Sequence, residues 1–160
     1  MEIKGKEYEN ASEGDHNAVF VDFVDLGMVE TKFGKKHKIR GVFQVEETGK
    51  DGKRLVVMQR YTASVHEKSL LYKHVKGATG KPPGKKFDTE SLIGVPCRII
   101  VEHNESGDKV FANITAVMKA GAVKLEPNFQ DYVRVQDRPN DGGAARESEQ
   151  DAASDDGVPF

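Results

Sequence analysis

The segment 30–37 contains residue types that together indicate a binding chemistry. It reads Glu-Thr-Lys-Phe-Gly-Lys-Lys-His, so Phe33 stands between Lys32 on one side and Lys35 and Lys36 on the other. Ammonium groups neutralise phosphates and an aromatic ring takes the face of a base, so this combination is typical of loops that bind single-stranded nucleic acid. The alternative interpretation is a solvated, charged hairpin tip with no ligand.

These lysines belong to a longer basic stretch. Residues 32–86 contain fifteen Lys or Arg and four acidic residues, a net charge of +11, although the whole chain of 160 residues carries only −2. The compensating acids lie at the ends, with a net charge of −3 in residues 1–16 and −5 in residues 141–160. A basic body with acidic ends indicates a polyanionic partner for the body.

The predicted binding surface extends beyond the loop to other cations and aromatic rings. It includes the cations Lys38, Arg40, Arg54, Arg60, Lys68, Lys73, Lys76, Lys81, Lys85 and Lys86, and the aromatic residues Tyr61, Tyr72 and Phe111. Each of these three aromatic side chains is equally compatible with a place in the hydrophobic core.

The sequence fits no catalytic or metal-binding motif that its Gly-Lys pairs, histidines or cysteine could form. Gly80-Lys81 and Gly84-Lys85 lack the spacing and the following Ser or Thr of a phosphate-binding P-loop. The five histidines include no pair four residues apart, and the single cysteine, Cys97, falls in an apolar run. We therefore expect neither an enzyme, nor a metal site, nor a cofactor.

The apolar pattern along the chain predicts five β-strands and one short helix. Period-two alternation predicts strands at 18–26, 38–45, 54–65, 97–103 and 109–118, a helix at 67–75, and a helical turn capped by Asp88. Turn sequences at 48–53 and 104–108 predict antiparallel hairpins. In the second strand the pattern places Ile39, Phe43 and Val45 in the core and Lys38, Arg40 and Gln44 on a basic outer surface.

The order of three strands, a helix and two strands predicts an all-β fold, an OB-fold-like five-stranded Greek-key barrel, over residues 17–120. An open β-sandwich is the rival, and it would need about seven strands. In the barrel, strands two and three form the nucleic-acid face, with the loop between strands one and two at its rim.

The segments that flank this domain differ in composition. Residues 1–16 are predicted to be a flexible lead-in, and residues 140–160 a disordered acidic tail. For residues 121–139 two interpretations stay open, packing against the barrel and self-association into a homo-oligomer. No run approaches about 20 apolar residues and the chain starts with an acidic segment, so neither a membrane span nor a signal peptide is expected.

The last seven residues, Ser154-Asp155-Asp156-Gly157-Val158-Pro159-Phe160, resemble the C-terminal tip of bacterial-type single-stranded DNA-binding proteins. That tip closes a flexible acidic linker with aspartates, an aliphatic residue and a terminal Pro-Phe; Gly157 and Val158 stand here where a third aspartate and Ile are usual. The resemblance implies that Asp155, Asp156, Val158, Pro159 and Phe160 bind partner proteins of replication, recombination or repair. A terminal ring and carboxylate suit an apolar pocket beside a basic clamp.

The body resembles phage-encoded single-stranded DNA-binding proteins, on the runs Lys35-Lys36-His37-Lys38, Arg60-Tyr61-Thr62 and residues 64–69. This implies binding to single-stranded DNA without sequence preference, in the cytoplasm of a bacterium or a phage-infected host. Two other functions remain open, an RNA-binding barrel of the cold-shock type and a protein-interaction adaptor of phage origin. The first predicts a preference for RNA, and the second predicts no oligonucleotide binding.

Overall fold

The computed structural model describes residues 9–139 and contains five strands and one α-helix in that range. The elements are β1 (Gly14–Thr31), β2 (Gly34–Thr48), β3 (Arg54–Thr62), α1 (Leu70–Thr79), β4 (Pro96–Ser106) and β5 (Lys109–Lys119), with short 3₁₀ turns at Thr89–Leu92 and Val135–Asp137. The predicted mostly-β composition, the order of the elements and the turn capped by Asp88 are confirmed.

The strands form one antiparallel sheet in the order β3-β2-β1-β4-β5. The predicted hairpins β2–β3 and β4–β5 are present, and β1 joins the two halves by pairing with both β2 and β4. The edge strands β3 and β5 approach each other. Within residues 9–139 no ladder joins them, so the sheet remains open between these edges.

The β1–β2 hairpin extends beyond the rest of the sheet. β1 pairs with β4 only from Gly14 to Val19, whereas its pairing with β2 continues to Thr31 and Gly34. We call residues 28–37 the arm, because no third strand pairs with them in the described range. The prediction ended this strand at residue 26; in the structure the strand continues to Thr31, with a bulge between Asp25 and Gly27, whose φ is 73°.

The inner face of the sheet and α1 enclose the main core. Phe20 packs on Phe43 with ring centroids 4.5 Å apart, and Leu71 and Val75 of α1 belong to the same cluster. Gly77 brings α1 against β5, since a Cβ at this position would lie 2.2 Å from the carbonyl oxygen of Val117.

The helix begins and ends later than predicted. Ser69 caps α1, its hydroxyl accepting a hydrogen bond from the Tyr72 N–H at 3.2 Å, and Gly80 ends the helix in the left-handed conformation. Serine at the N-cap and glycine after the last turn are the usual helix boundaries.

Residues 121–139, which we call the strap, pack on the outer face of the sheet. Leu125 and Tyr132 form a second apolar cluster with residues of β1, β2 and β3. The Gln44 side chain donates to the Asn128 carbonyl at 2.9 Å and accepts from its N–H at 2.8 Å. The strap therefore packs on the sheet of its own chain, which is the first of the two interpretations, and self-association stays a prediction.

The structure differs from the predicted lead-in over residues 9–16. β1 already begins at Gly14, Ala11 is buried, and Ser12 donates to Glu47 from its N–H at 2.7 Å and its hydroxyl at 2.6 Å. Because hydrogen bonds hold this segment in place, its low hydrophobicity did not indicate that it belongs to the folded domain. Residues 1–8 and the predicted acidic tail with its tip, 140–160, lie outside the described residues.

Candidate nucleic-acid interface

The tip of the arm presents an aromatic ring and cations to solvent. Phe33 is 46% exposed, and the Lys32 ammonium lies 5.2 Å from the centroid of its ring. The Thr31 hydroxyl accepts from the Phe33 N–H at 3.1 Å and donates to the Gly34 carbonyl at 2.7 Å, which fixes the two-residue turn. Gly34, with φ at 96°, provides the left-handed residue that such a hairpin uses.

The remaining lysines of the predicted tip lie on the same arm. Lys35 is exposed and Lys36 is half-buried. Together with Lys32 they flank Phe33 along the chain. The arm also exposes Met28, at 64%.

The base of the arm is held by a cross-strand polar pair. His37 Nε2 and Asp25 Oδ1 are 2.7 Å apart, and the Gly27 N–H donates to the same oxygen at 2.8 Å. The Gly27 N–H and, second, the hydrogen bond from His37 lower the pKa of the Asp25 carboxyl below its ordinary value. Both side chains are exposed, so the pair is accessible to a ligand.

A second group of predicted cations lies just before α1, on α1 and in the loop that follows it. All six of these lysines are exposed, whereas Tyr72 is half-buried; the set is Lys68, Lys73, Lys76, Lys81, Lys85 and Lys86. They therefore remain available for phosphate contacts.

The cations predicted on β2 and β3 are less exposed than these six lysines. The alternation in β2 is confirmed, since Ile39, Phe43 and Val45 belong to the main core and face away from Lys38 and Arg40. The expectation that the opposite face is an exposed basic surface is wrong, since Lys38 is 1% exposed and Arg40 and Gln44 are both 0% exposed.

Their neighbours across β2–β3 explain part of this arrangement. Lys38 donates to the Thr62 hydroxyl at 2.7 Å, and Arg40 pairs in register with the half-buried Arg60. Arg54, also half-buried, donates to the Glu126 carbonyl of the strap at 2.6 Å. Sequence alternation assigns a face to a residue but does not predict whether a later segment covers that face.

Two predicted stacking residues belong to the core instead. Tyr61 is completely buried, and its hydroxyl shares a hydrogen bond of 2.6 Å with His74 Nδ1. Phe111 is 8% exposed. Apolar residues occur on both faces of β3, so the alternation alone did not place Tyr61.

A cleft of about 560 Å³ lies between the base of the arm, the residues after β3 and the loop before the first 3₁₀ turn. Its lining includes Phe23, Asp25, His37, Val65, Lys85 and Phe87. Of these, only Lys85 was predicted from the sequence. The run Lys85-Lys86-Phe87 repeats the lysine-phenylalanine composition of the arm tip, and that signal could have identified Phe87.

Other reactive groups in the described range do not add a catalytic centre. Cys97 is buried in the core, and burial raises the pKa of its thiol to about 12. Among residues 9–139 no three His, Cys, Asp or Glu side chains lie together as a metal site requires. The helix of this range is too short and too polar to cross a membrane.

A comparison of the chain with protein-family models finds no match, and a search of curated proteins finds no relative.

Proposed function

We propose that this protein binds single-stranded DNA without sequence preference. The observation that carries the proposal is the exposed Phe33 at the tip of a two-stranded arm, with the Lys32 ammonium 5.2 Å from its ring and Lys35 exposed beside it. A ring that can take the face of any base, next to cations that can neutralise any phosphate, binds a strand without reading its sequence.

The fold supports the same proposal. The order β3-β2-β1-β4-β5 is that of an OB-type barrel opened between β3 and β5, and α1 lies between β3 and β4 as that fold requires. We propose that the sheet is such a barrel with an incomplete seam. The arm then corresponds to the loop between strands one and two, which forms the rim of the ligand face in this fold.

The strap changes the expected location of the ligand. It covers Val42 and Met58 on the outer face of β2 and β3, where a barrel of this type usually binds nucleic acid. The proposed contacts therefore come from the arm and from the exposed lysines of α1 and its following loop. Lys38, Arg40, Tyr61 and Phe111 are left out of the interface, since they are buried.

Counterion release would supply much of the binding free energy. A single strand loses condensed cations when lysines neutralise its phosphates, so the affinity falls steeply as salt is raised. The acidic tip 155–160 remains the proposed binding site for replication, recombination or repair proteins, on the resemblance of its sequence alone.

The proposal is tested by fluorescence anisotropy of labelled oligo-dT, the matching duplex and oligo-U, each titrated with the full chain at low and high salt. We expect oligo-dT to bind more tightly than duplex, with a strong dependence on salt. A preference for oligo-U would favour the RNA-binding alternative. No binding to any of the three would contradict the proposal and favour a protein-docking role for the basic surface.

A further inference from the structure

We propose that the cleft at the base of the arm holds one unpaired base of the bound strand, with the adjoining phosphate on Lys85. This inference rests on the proposed function and adds a second base site, in an open cleft, to the exposed Phe33. The volume of about 560 Å³ is within the range of pockets that take small aromatic ligands.

The apolar wall of the cleft is suited to the face of a base. Phe87 and Phe23 are half-buried, and both pack against the main core, so their rings are held in place. Phe23 stacks on Phe20 with centroids 5.6 Å apart. Val65, 36% exposed, also belongs to the apolar part of the lining. A ring fixed before binding loses little conformational entropy when a base stacks on it.

The polar groups of the cleft favour a base rather than a free phosphate inside it. Asp25 and His37 form their 2.7 Å pair in the lining, and the Asp88 carboxylate, which accepts from the Glu90 N–H at 3.0 Å, also belongs to it. Two carboxylates repel an anion. They and the imidazole instead offer acceptors and donors to the edge of a neutral base.

The cation of the cleft is placed for the phosphate that follows the base. Lys85 lines the cleft and is exposed, and the exposed Lys86 is next to it in the chain. The strand would therefore have its base inside the cleft and its charge at the mouth. This arrangement repeats the ring and ammonium group of the arm tip.

The test compares oligo-dT with an abasic oligonucleotide of the same length, titrated against the wild-type chain and Phe87→Leu. Leucine keeps an apolar side chain of somewhat smaller volume and removes the aromatic face. We expect the affinity of Phe87→Leu for oligo-dT to fall about fivefold, the lower end of what one stacked base contributes, with little change for the abasic strand. Thermal unfolding of each variant shows whether the fold is retained.

A second pair of variants tests the phosphate position without touching the core. Lys85→Gln is expected to reduce the slope of log affinity against log salt by roughly 0.7, the value for one phosphate contact on a single strand. Lys50→Gln is the matched control, because Lys50 is exposed in the turn after β2, outside the proposed interface, and does not line the cleft. A slope change for Lys85→Gln no larger than that for Lys50→Gln would contradict the placement.

A measurement on the wild-type chain avoids any effect of mutation on folding. An oligo-dT in which single thymines are replaced by 5-iododeoxyuridine is crosslinked by ultraviolet light, and the attached peptides are identified by mass spectrometry. Crosslinks in the peptide that contains Phe87 support the inference. Crosslinks confined to Phe33 and other residues outside the cleft overturn it while the proposed function stands. Failure of oligo-dT to bind overturns both.

Discussion

The carboxylate of Asp22 accepts a hydrogen bond from the hydroxyl of Tyr132, 110 positions later in the chain, at 2.9 Å. The same buried carboxylate accepts from the Val135 N–H at 2.9 Å and from Arg134 Nε at 3.1 Å. Three donors of the strap therefore converge on one residue of β1. This anchor determines which part of the outer face is covered and which part is left for a ligand.

Replacement of this anchor should destabilise the protein. Asp22→Asn keeps the shape but removes the charge that Arg134 faces, and the amide nitrogen of Asn cannot accept from any of the three donors. Breaking a buried ion pair costs about 3 kcal/mol. We expect a decrease of that size in the free energy of unfolding, measured by urea denaturation. The exposed Asp108→Asn is the control and should change it by less than about 0.5 kcal/mol.

The contact between α1 and β5 gives a second prediction. Gly77→Ala places a Cβ 2.2 Å from the Val117 carbonyl oxygen, so the helix must move away from the strand. We expect a loss of about 1–3 kcal/mol in unfolding free energy, although Ala favours helix formation by itself. Gly84→Ala, which meets no atom within 4 Å, should be nearly neutral in the same thermal or urea unfolding experiment. Equal effects of the two substitutions would show that the close contact is absent.

The pair at the base of the arm predicts a particular titration. The pKa of Asp25 should lie below 3.8, because the Gly27 N–H and, to a lesser extent, His37 favour the charged carboxylate. A depressed folded pKa adds stability above the unfolded value, and this stability is lost as the pH falls from about 4 through the folded pKa. In His37→Gln the pKa should rise but remain depressed, since the Gly27 N–H is the larger cause. Carboxyl NMR titration measures both values, and an unshifted Asp25 would contradict the pairing.

The arm lysines should account for part of the salt dependence of DNA binding. The double variant Lys32→Gln, Lys35→Gln removes two exposed cations and should reduce the slope of log affinity against log salt by roughly 1.4, at about 0.7 per phosphate contact. Lys50→Gln is the control, because this exposed lysine lies in the turn at the opposite end of β2. Anisotropy titrations of oligo-dT at several salt concentrations give the slopes. A larger decrease with Lys50→Gln would place the interface elsewhere.

Local sequence signals predicted some of the boundaries whose chemistry is local. Asp88 caps the 3₁₀ turn as predicted, and Gly34 closes the hairpin of the arm within the segment predicted to join strands one and two. Ser69 and Gly80 bound α1 by equally local interactions, but the predicted helix, at 67–75, used neither residue. The exposed Phe33 and its lysines follow from the same hairpin. Such features depend on a few consecutive residues and can be found without the fold.

Features that depend on distant segments were not predicted. The burial of Lys38 and Arg40 could not be deduced from alternation, because alternation predicts on which face of the sheet a side chain lies but not whether that face is exposed to solvent. Ala11 and Ser12 are held through β2 and the core, although their own segment is polar. The cleft requires the arm, the end of β3 and the Phe87 loop together, so no single stretch of sequence indicates it.

The most direct test of DNA binding by the arm compares two exposed phenylalanines. Phe33 at the arm tip is 46% exposed and Phe129 on the strap is 43% exposed, so their replacement by Ala removes similar accessible rings. The measurement is the oligo-dT affinity of each variant by fluorescence anisotropy at one fixed salt concentration. We predict that Phe33→Ala weakens binding about fivefold or more and Phe129→Ala leaves it unchanged. Equal affinities for the wild type and Phe33→Ala would contradict a base-stacking role for the arm.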